Sequence, residues 1–430
     1  MKSKLQILMA LIMIVAMAAC KKDSKNTPDG DTVNQEPMSR KELTAADILG
    51  NPDYPGIAFG GYRHADHDIE PTLEELKDDM RILHAAGIRV VRTYKVHLPH
   101  ASNVLKAISQ LNVEDESFEM YVMLGAWIDC KNAWTDLEPD HNVESEANKP
   151  QIEEAVRLAN QYPDIVKILA VGNESMVKWA AAYYVQPGVI LKWVNYLQDL
   201  KKKGELPKDL WITSSDNFAS WGGGGTEYHV EDLTKLYHAV DYVSMHTYPY
   251  LDSHYNPDFW GVLPNEEDLS DSLKIEAAMV RAKEFAIHEY ESVRAYMKSI
   301  GVDKPIHIGE SGWSTVSDDF FGPEGTHAAD EYKEALYHKL MRDWSKEAGI
   351  SLFYFEAFDE PWKDENSPDR SENHFGLFTV DGQAKFALWD LIDSGVFEGL
   401  SRNGNPIVKT FNGDREALME TVLMPPVRNE

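Results

Sequence analysis

The sequence predicts a (β/α)8 TIM barrel, and three observations carry that prediction. One phrase occurs eight times along the chain: an apolar run of strand length, a polar loop, then a segment with helical periodicity. The apolar runs are continuous rather than alternating, which is how parallel strands covered on both faces by helices read. The competing architecture, an open doubly wound sheet, lacks its fingerprint: Gly60-Gly61-Tyr62-Arg63 is not G-x-G-x-x-G, and Gly222–Gly225 is not followed by Lys-Ser/Thr.

In chain order, residues 1–19 read as a signal segment, with Lys2 and Lys4 ahead of an apolar stretch from Ile7 to Ala18. Met17-Ala18-Ala19-Cys20 resembles a bacterial lipobox, which implies lipidation at Cys20 and attachment to a membrane of the bacterial cell envelope. Lys21, where an Asp would stand in inner-membrane lipoproteins, implies the outer membrane. Residues 20–45 are polar and read as a flexible tether. The barrel is expected over 46–395, and 396–430 as an extension packed on it. With Cys20 lipidated only Cys130 remains, so no intramolecular disulfide and no Cys-rich metal site is expected. A net charge of −29 repels phosphate backbones, which argues against nucleic acid and suits a neutral substrate. The chain is expected to act as a monomer without cofactor or metal.

The strand candidates are Gly56–Gly60, Arg89–Tyr94, Glu119–Trp127, Val166–Val171, Leu210–Ser215, Tyr242–His246, Pro305–Gly309 and Ser351–Phe358. Amphipathic stretches such as Leu73–Ala86, Pro150–Gln161, Val189–Lys203, Ile275–Ile300 and Ala329–Ala348 lie between them. Pro71-Thr72-Leu73-Glu74-Glu75 opens a helix and Gly87 closes it.

A barrel gathers its chemistry just past the C-terminal ends of its strands. Past the fourth comes Val171-Gly172-Asn173-Glu174, and past the seventh Gly309-Glu310-Ser311-Gly312-Trp313. Two carboxylates facing one pocket can divide acid and nucleophile roles when their surroundings differ, and a separation of about 5–5.5 Å marks the retaining mechanism. The serine-elbow reading of Gly309–Trp313 fails, because position 313 is Trp rather than Gly. His64-Ala65-Asp66-His67-Asp68 has donor residue types but no zinc spacing, and reads as a loop with possible substrate contacts. Seven tryptophans fall on or just after strands; Trp313 and Trp221 are expected to face ligand, Trp193 and Trp211 to pack in the core.

These motifs resemble glycoside hydrolase family 17, the β-1,3-glucanase type of retaining barrel glycosidase, over residues 56–394. Asn173-Glu174 is similar to that family's strand-four motif, and Glu310-Ser311-Gly312-Trp313 to its Glu-Thr-Gly-Trp. The resemblance implies Glu174 as acid/base, Glu310 as nucleophile and Asn173 on the sugar 2-hydroxyl. It extends to Arg92-Thr93-Tyr94, His246-Thr247-Tyr248-Pro249-Tyr250, Phe358-Asp359-Glu360-Pro361-Trp362-Lys363 and Phe375-Gly376-Leu377-Phe378. Arg92, Tyr94, His246, Tyr248, Trp313, Glu360 and Lys363 are therefore expected to contact substrate, together with Phe59 at the first strand end. His246 and Ser314 stand where Asn and Pro are usual, and the loops 128–149, 249–270 and 314–328 are long enough to reshape the cleft. The activity implied is internal cleavage of a β-1,3-glucan; a transglycosylase on the same site and a non-catalytic glycan-binding lipoprotein are the alternatives.

Overall fold

The computed structural model describes residues 43–428 apart from Leu98, so the signal segment, Cys20 and most of the tether lie outside the described residues. Eight parallel strands close into a barrel: β1 Gly56–Ala58, β2 Val90–Arg92, β3 Tyr121–Ala126, β4 Val166–Asn173, β5 Trp211–Asn217, β6 Val243–His246, β7 Ile306–Gly312 and β8 Leu352–Phe355. The ring is closed by β1 on β8, with Gly56 opposite Phe353 and Ile57 opposite Tyr354. Helices follow the strands, among them Leu73–Ala85, Asn148–Gln161, Pro187–Lys203, Asp271–Ser299 and Glu331–Ala348. The first starts where Thr72 and Glu75 cap each other reciprocally, Glu75 accepting from the Thr72 N–H at 2.7 Å.

Continuous apolar strands serve two cores at once. Val90, Met123, Ile168 and Phe353 fill the barrel interior together with Ala45 and Ile48 of a short N-terminal helix. Their neighbours Val91, Leu124, Leu169 and Tyr354 pack outward under the helices. Each such side chain removed from water contributes roughly 1.5–3 kcal/mol.

Strict alternation breaks on β4 and β7, the strands that carry the candidate carboxylates. On β7, Met245 pairs with Ile308 and His246 with Glu310, so Gly309 is an extra residue. Ile306 and Ile308 face outward, and without this bulge Glu310 would face outward with them. A Cβ at 309 would come within 2.2 Å of the Ser244 hydroxyl, so the bulge requires glycine. On β4 the register shifts between Ala170 and Asn173, and Gly172 within it has φ +82.

The described residues form one compact unit, and the segment after 396 is tied into it. Its hairpin Ser401–Arg402/Asn405–Pro406 brings the Arg402 guanidinium onto the buried Asp79, with Nε donating to Oδ1 at 3.0 Å. Further on, the Arg428 N–H donates to the Val262 carbonyl at 2.9 Å.

Candidate active site

The C-terminal strand ends enclose a cleft of about 1110 Å³. Glu174 and Glu310 stand in it on β4 and β7, and a carboxylate oxygen of each, with one nitrogen of His246, lies within 4.8 Å of the others.

Glu310 is held on every side. Its side chain is 6% exposed. Arg92 Nη1 donates to Oε1 and, at 2.9 Å, to the Gly309 carbonyl, while the Tyr248 hydroxyl donates to Oε2 at 2.7 Å. Burial pushes this carboxyl up, but His246, Arg92 and the phenols of Tyr248 and Tyr94 outweigh it and hold Glu310 below the usual carboxylate range. The same guanidinium reaches β4, where Nη2 donates to Asn173 Oδ1 at 2.5 Å. One arginine thereby links the two strands that carry the carboxylates.

Glu174 is freer, with 25% of its side chain exposed. Its backbone is left-handed, at φ 47, a conformation that costs on the order of 1 kcal/mol or more and persists where the surroundings over-determine it. The surroundings here are β5: the Glu174 N–H donates to the Ser215 carbonyl at 3.0 Å, and the Met176 N–H donates to Asp216 Oδ2 at 2.7 Å. Asp216 is fully buried and also accepts from the Ser220 hydroxyl at 2.6 Å. Burial pushes its carboxyl up to about 7, against the pull of those hydrogen bonds, with the charge of Glu174 adding to the rise.

His246 bridges the two carboxylates: Nδ1 lies 3.1 Å from Glu174 and 3.5 Å from Glu310, and Nε2 lies 2.7 Å from the Ser215 hydroxyl. Two carboxylates and an imidazole are also donor types for a metal, but the atoms of His246 and Glu310 are already engaged by Ser215, Arg92 and Tyr248. The arrangement fits paired-carboxylate chemistry better than metal ligation.

Of the residues expected to contact substrate, Phe59, Tyr94, Asn173, Tyr248, Glu360 and Lys363 line the cleft. Lys363 donates to Glu356 at 2.5 Å and lies 3.5 Å from Glu360. Burial works against its ammonium, but those two carboxylates outweigh it and push Lys363 up. Four expectations meet buried side chains. Arg92 and His246 are exposed to 1% and 0%, lie outside the cleft lining and direct polar atoms at the two carboxylates. Trp313 is 0% exposed: three residues past Glu310 the chain has turned into the helix layer, where its indole packs on Tyr250, Trp260 and Tyr337 and donates to the Ala328 carbonyl at 2.8 Å. Trp221 is likewise buried, donating to the Ser244 carbonyl at 3.0 Å. Trp193 is buried and Trp211 packs on Tyr242, as expected of core residues. In the His64–Asp68 loop only His67 lines the cleft, tilted against Trp362 with centroids 3.9 Å apart.

Sequence reasoning missed Glu356 and Asp216. Glu356 is 1% exposed, lines the cleft and partners Lys363; its signal was a lone charge inside the apolar run 351–358. Asp216 ends a run of Thr213, Ser214 and Ser215, a polar stretch at odds with a strand otherwise buried on both faces.

The sequence profile of the BtgE/BtgC glycoside hydrolase domain matches residues 56–376. A curated relative from Aspergillus clavatus, described as a probable glucan endo-1,3-beta-glucosidase, is 23% identical over 385 residues, 85% of this chain and 47% of its own. A protein of the same description from Aspergillus flavus is 24% identical over 388 residues, 85% of this chain and 48% of its own. The chain thus spans about half the length of the curated relatives it matches. Among solved structures, an endo-laminarinase from Formosa Hel1_33_131 is 62% identical with a TM-score of 0.90, over 90% of this chain and 99% of that one. A glycoside hydrolase family 17 β-1,3-glucanosyltransferase from Rhizomucor miehei shares the fold at 21% identity and a TM-score of 0.52, over 78% of this chain and 96% of that one.

Proposed function

The chain belongs to the family of the BtgE/BtgC glycoside hydrolase domain, and from that premise we propose that it is a retaining hydrolase cutting β-1,3-linked glucose chains internally. The observation that carries the proposal is the pair Glu174 and Glu310, with carboxylate oxygens within 4.8 Å on the floor of an open cleft. That spacing leaves no room for a water between carboxylate and sugar, which inversion would need. The choice of β-1,3-glucan is supported by the 62% identity to an endo-laminarinase and by an acidic chain suited to a neutral polymer.

In this reading Glu310 attacks the anomeric carbon as the glycosidic bond breaks, and Glu174 gives its proton to the departing oxygen. The product is a glycosyl ester on Glu310 and a free chain end. Glu174, now a carboxylate, takes a proton from water as that water attacks the same carbon, releasing Glu310 and a sugar of retained configuration. Arg92 and Tyr248 keep Glu310 charged and aimed before it attacks, and receive the carboxylate again when the ester is hydrolysed. Asn173, anchored to Arg92, is placed to accept or donate at the sugar 2-hydroxyl.

The test is incubation with a linear β-1,3-glucan while products are sized and their anomeric form followed by NMR. Short oligosaccharides appearing early, first as the β-anomer, support the proposal. Products longer than a defined oligosaccharide substrate move the assignment to transglycosylation, and an untouched glucan moves it to another β-linkage or to binding alone. Attachment to the bacterial outer membrane through a lipid on Cys20 is part of the proposal, supported by the lipobox-like Met17–Cys20. Radiolabelled fatty acid should enter the wild-type protein and not Cys20→Ala.

A further inference from the structure

The loop after β3 carries a feature that the two-carboxylate chemistry does not use. Trp134 is 62% exposed at the cleft rim and holds a left-handed backbone, φ 61. An indole facing water at a strained position is a double cost, yet this one is fixed rather than loose. One face stacks on Tyr183 at 4.9 Å and 22°. Tyr183 also meets Trp127, tilted at 5.4 Å, and the Lys95 ammonium sits 4.5 Å over Trp127. Both indole N–H groups donate to one oxygen of Asp129, at 2.6 Å from Trp127 and 3.2 Å from Trp134. The result is a braced column of rings whose last flat face is left open. In the adjacent loop, five residues after Glu174, Trp179 lines the same cleft and is 61% exposed.

We infer that Trp134 and Trp179 form a platform binding a β-configured glucosyl unit away from the point of cleavage, so that long chains are cut in preference to short ones. This rests on the glycosidase reading above. β-Glucose carries its hydroxyls equatorially, leaving flat C–H faces that match an indole face. Asp129 beside the column disfavours anionic sugars. Bracing by Asp129 and Tyr183 lowers the ordering cost of gripping such a ring. Trp179 shares its loop with Glu174, the group that must reach the departing oxygen, so the platform extends the leaving-group side of the cleft.

The experiment compares kcat/KM on linear β-1,3-glucan with kcat/KM on the shortest oligosaccharide that the wild-type protein cleaves. The long-to-short ratio is expected to fall roughly threefold to tenfold in Trp134→Ala, and less in Trp134→Phe, which keeps a flat ring. Trp179→Ala lowers the same ratio, and its side chain can be removed without disturbing the column, so it decides the matter if Trp134→Ala misfolds. Ratios within about twofold of wild type in both Trp134→Ala and Trp179→Ala, or in Trp179→Ala where Trp134→Ala misfolds, overturn the platform, whatever the absolute rates. A wild-type protein that leaves the glucan uncut fails the glycosidase reading instead, and the two failures are distinct.

Discussion

The ends of β4 and β7 carry the same residue type after the same device, a bulge at a glycine, yet they build opposite environments. Glu310 is 6% exposed, with both oxygens taken by Arg92 and Tyr248. Glu174 is 25% exposed and has His246 as its side-chain partner at 3.1 Å. A nucleophile must stay charged and aimed; an acid/base must trade its proton with a departing oxygen and then with water, so it needs an open side. The contrast lies in what surrounds each carboxylate, not in the carboxylates.

Breaking the clamped side outright should have the largest effect. Glu310→Gln removes the nucleophile and should lower kcat on β-1,3-glucan by about ten-thousand-fold or more, read as reducing ends against time. Glu174→Gln should cost about 10²–10⁴-fold, and here the two sides separate. With an aryl glycoside whose leaving group needs no protonation, Glu174→Gln should recover its first step and show a burst, whereas Glu310→Gln should not. Tyr248→Phe sharpens the comparison by thinning the clamp alone: losing one hydrogen bond to a charged group should lower kcat about tenfold to a hundredfold, with the acidic limb of the pH–rate profile moving upward as Glu310 loses a donor.

The smallest effect is on the freer side. Asp216, which fixes the turn carrying Glu174, has a folded pKa raised to about 7 from 3.8. The native state therefore holds a proton that the unfolded chain has released. The associated stability is fully present below about pH 4 and is lost as pH rises through 7, at no more than about 1.4 kcal/mol per pH unit. Asp216→Asn should flatten this part of the Tm-against-pH curve between 4 and 7 while lowering Tm overall, as the Met176 N–H loses its acceptor. An unchanged slope would mean that Asp216 is charged throughout that range.

The barrel was legible because strands buried on both faces leave an apolar signature too continuous for other folds, and Asn173-Glu174 and Glu310 were legible because they interrupt it at strand ends. Orientation was not. Trp313, three residues past Glu310, looked like a sugar platform, but the direction of its side chain depends on the bulge at Gly309, which appears only once β7 is paired with β6. Arg92 and His246 were rightly placed near the carboxylates, while their burial to 1% and 0% is a property of the closed ring that the sequence does not display. The exposed Trp134 was one tryptophan among several until its stack on Tyr183, 49 residues away in sequence, distinguished it.

The ion pair between Arg402 and Asp79 joins residues 323 apart in the chain, and it bears on the order in which the molecule can be completed. Arg402 Nη2 also reaches the Gly61 carbonyl at 3.3 Å. The chain around Gly61 cradles Glu360: the Tyr62 N–H donates to it at 3.4 Å, and a Cβ at Gly60 would come within 1.9 Å of its Oε1. The first loop of the barrel is therefore braced by a residue far downstream of the strands it serves. A chain ending at residue 395 would leave Asp79 with Arg63 as its remaining guanidinium partner and would bare the ring of Phe358, over which Arg402 lies at 4.0 Å. Barrel and downstream segment thus share one set of contacts, and removing Arg402 would loosen the loop on which Glu360 rests.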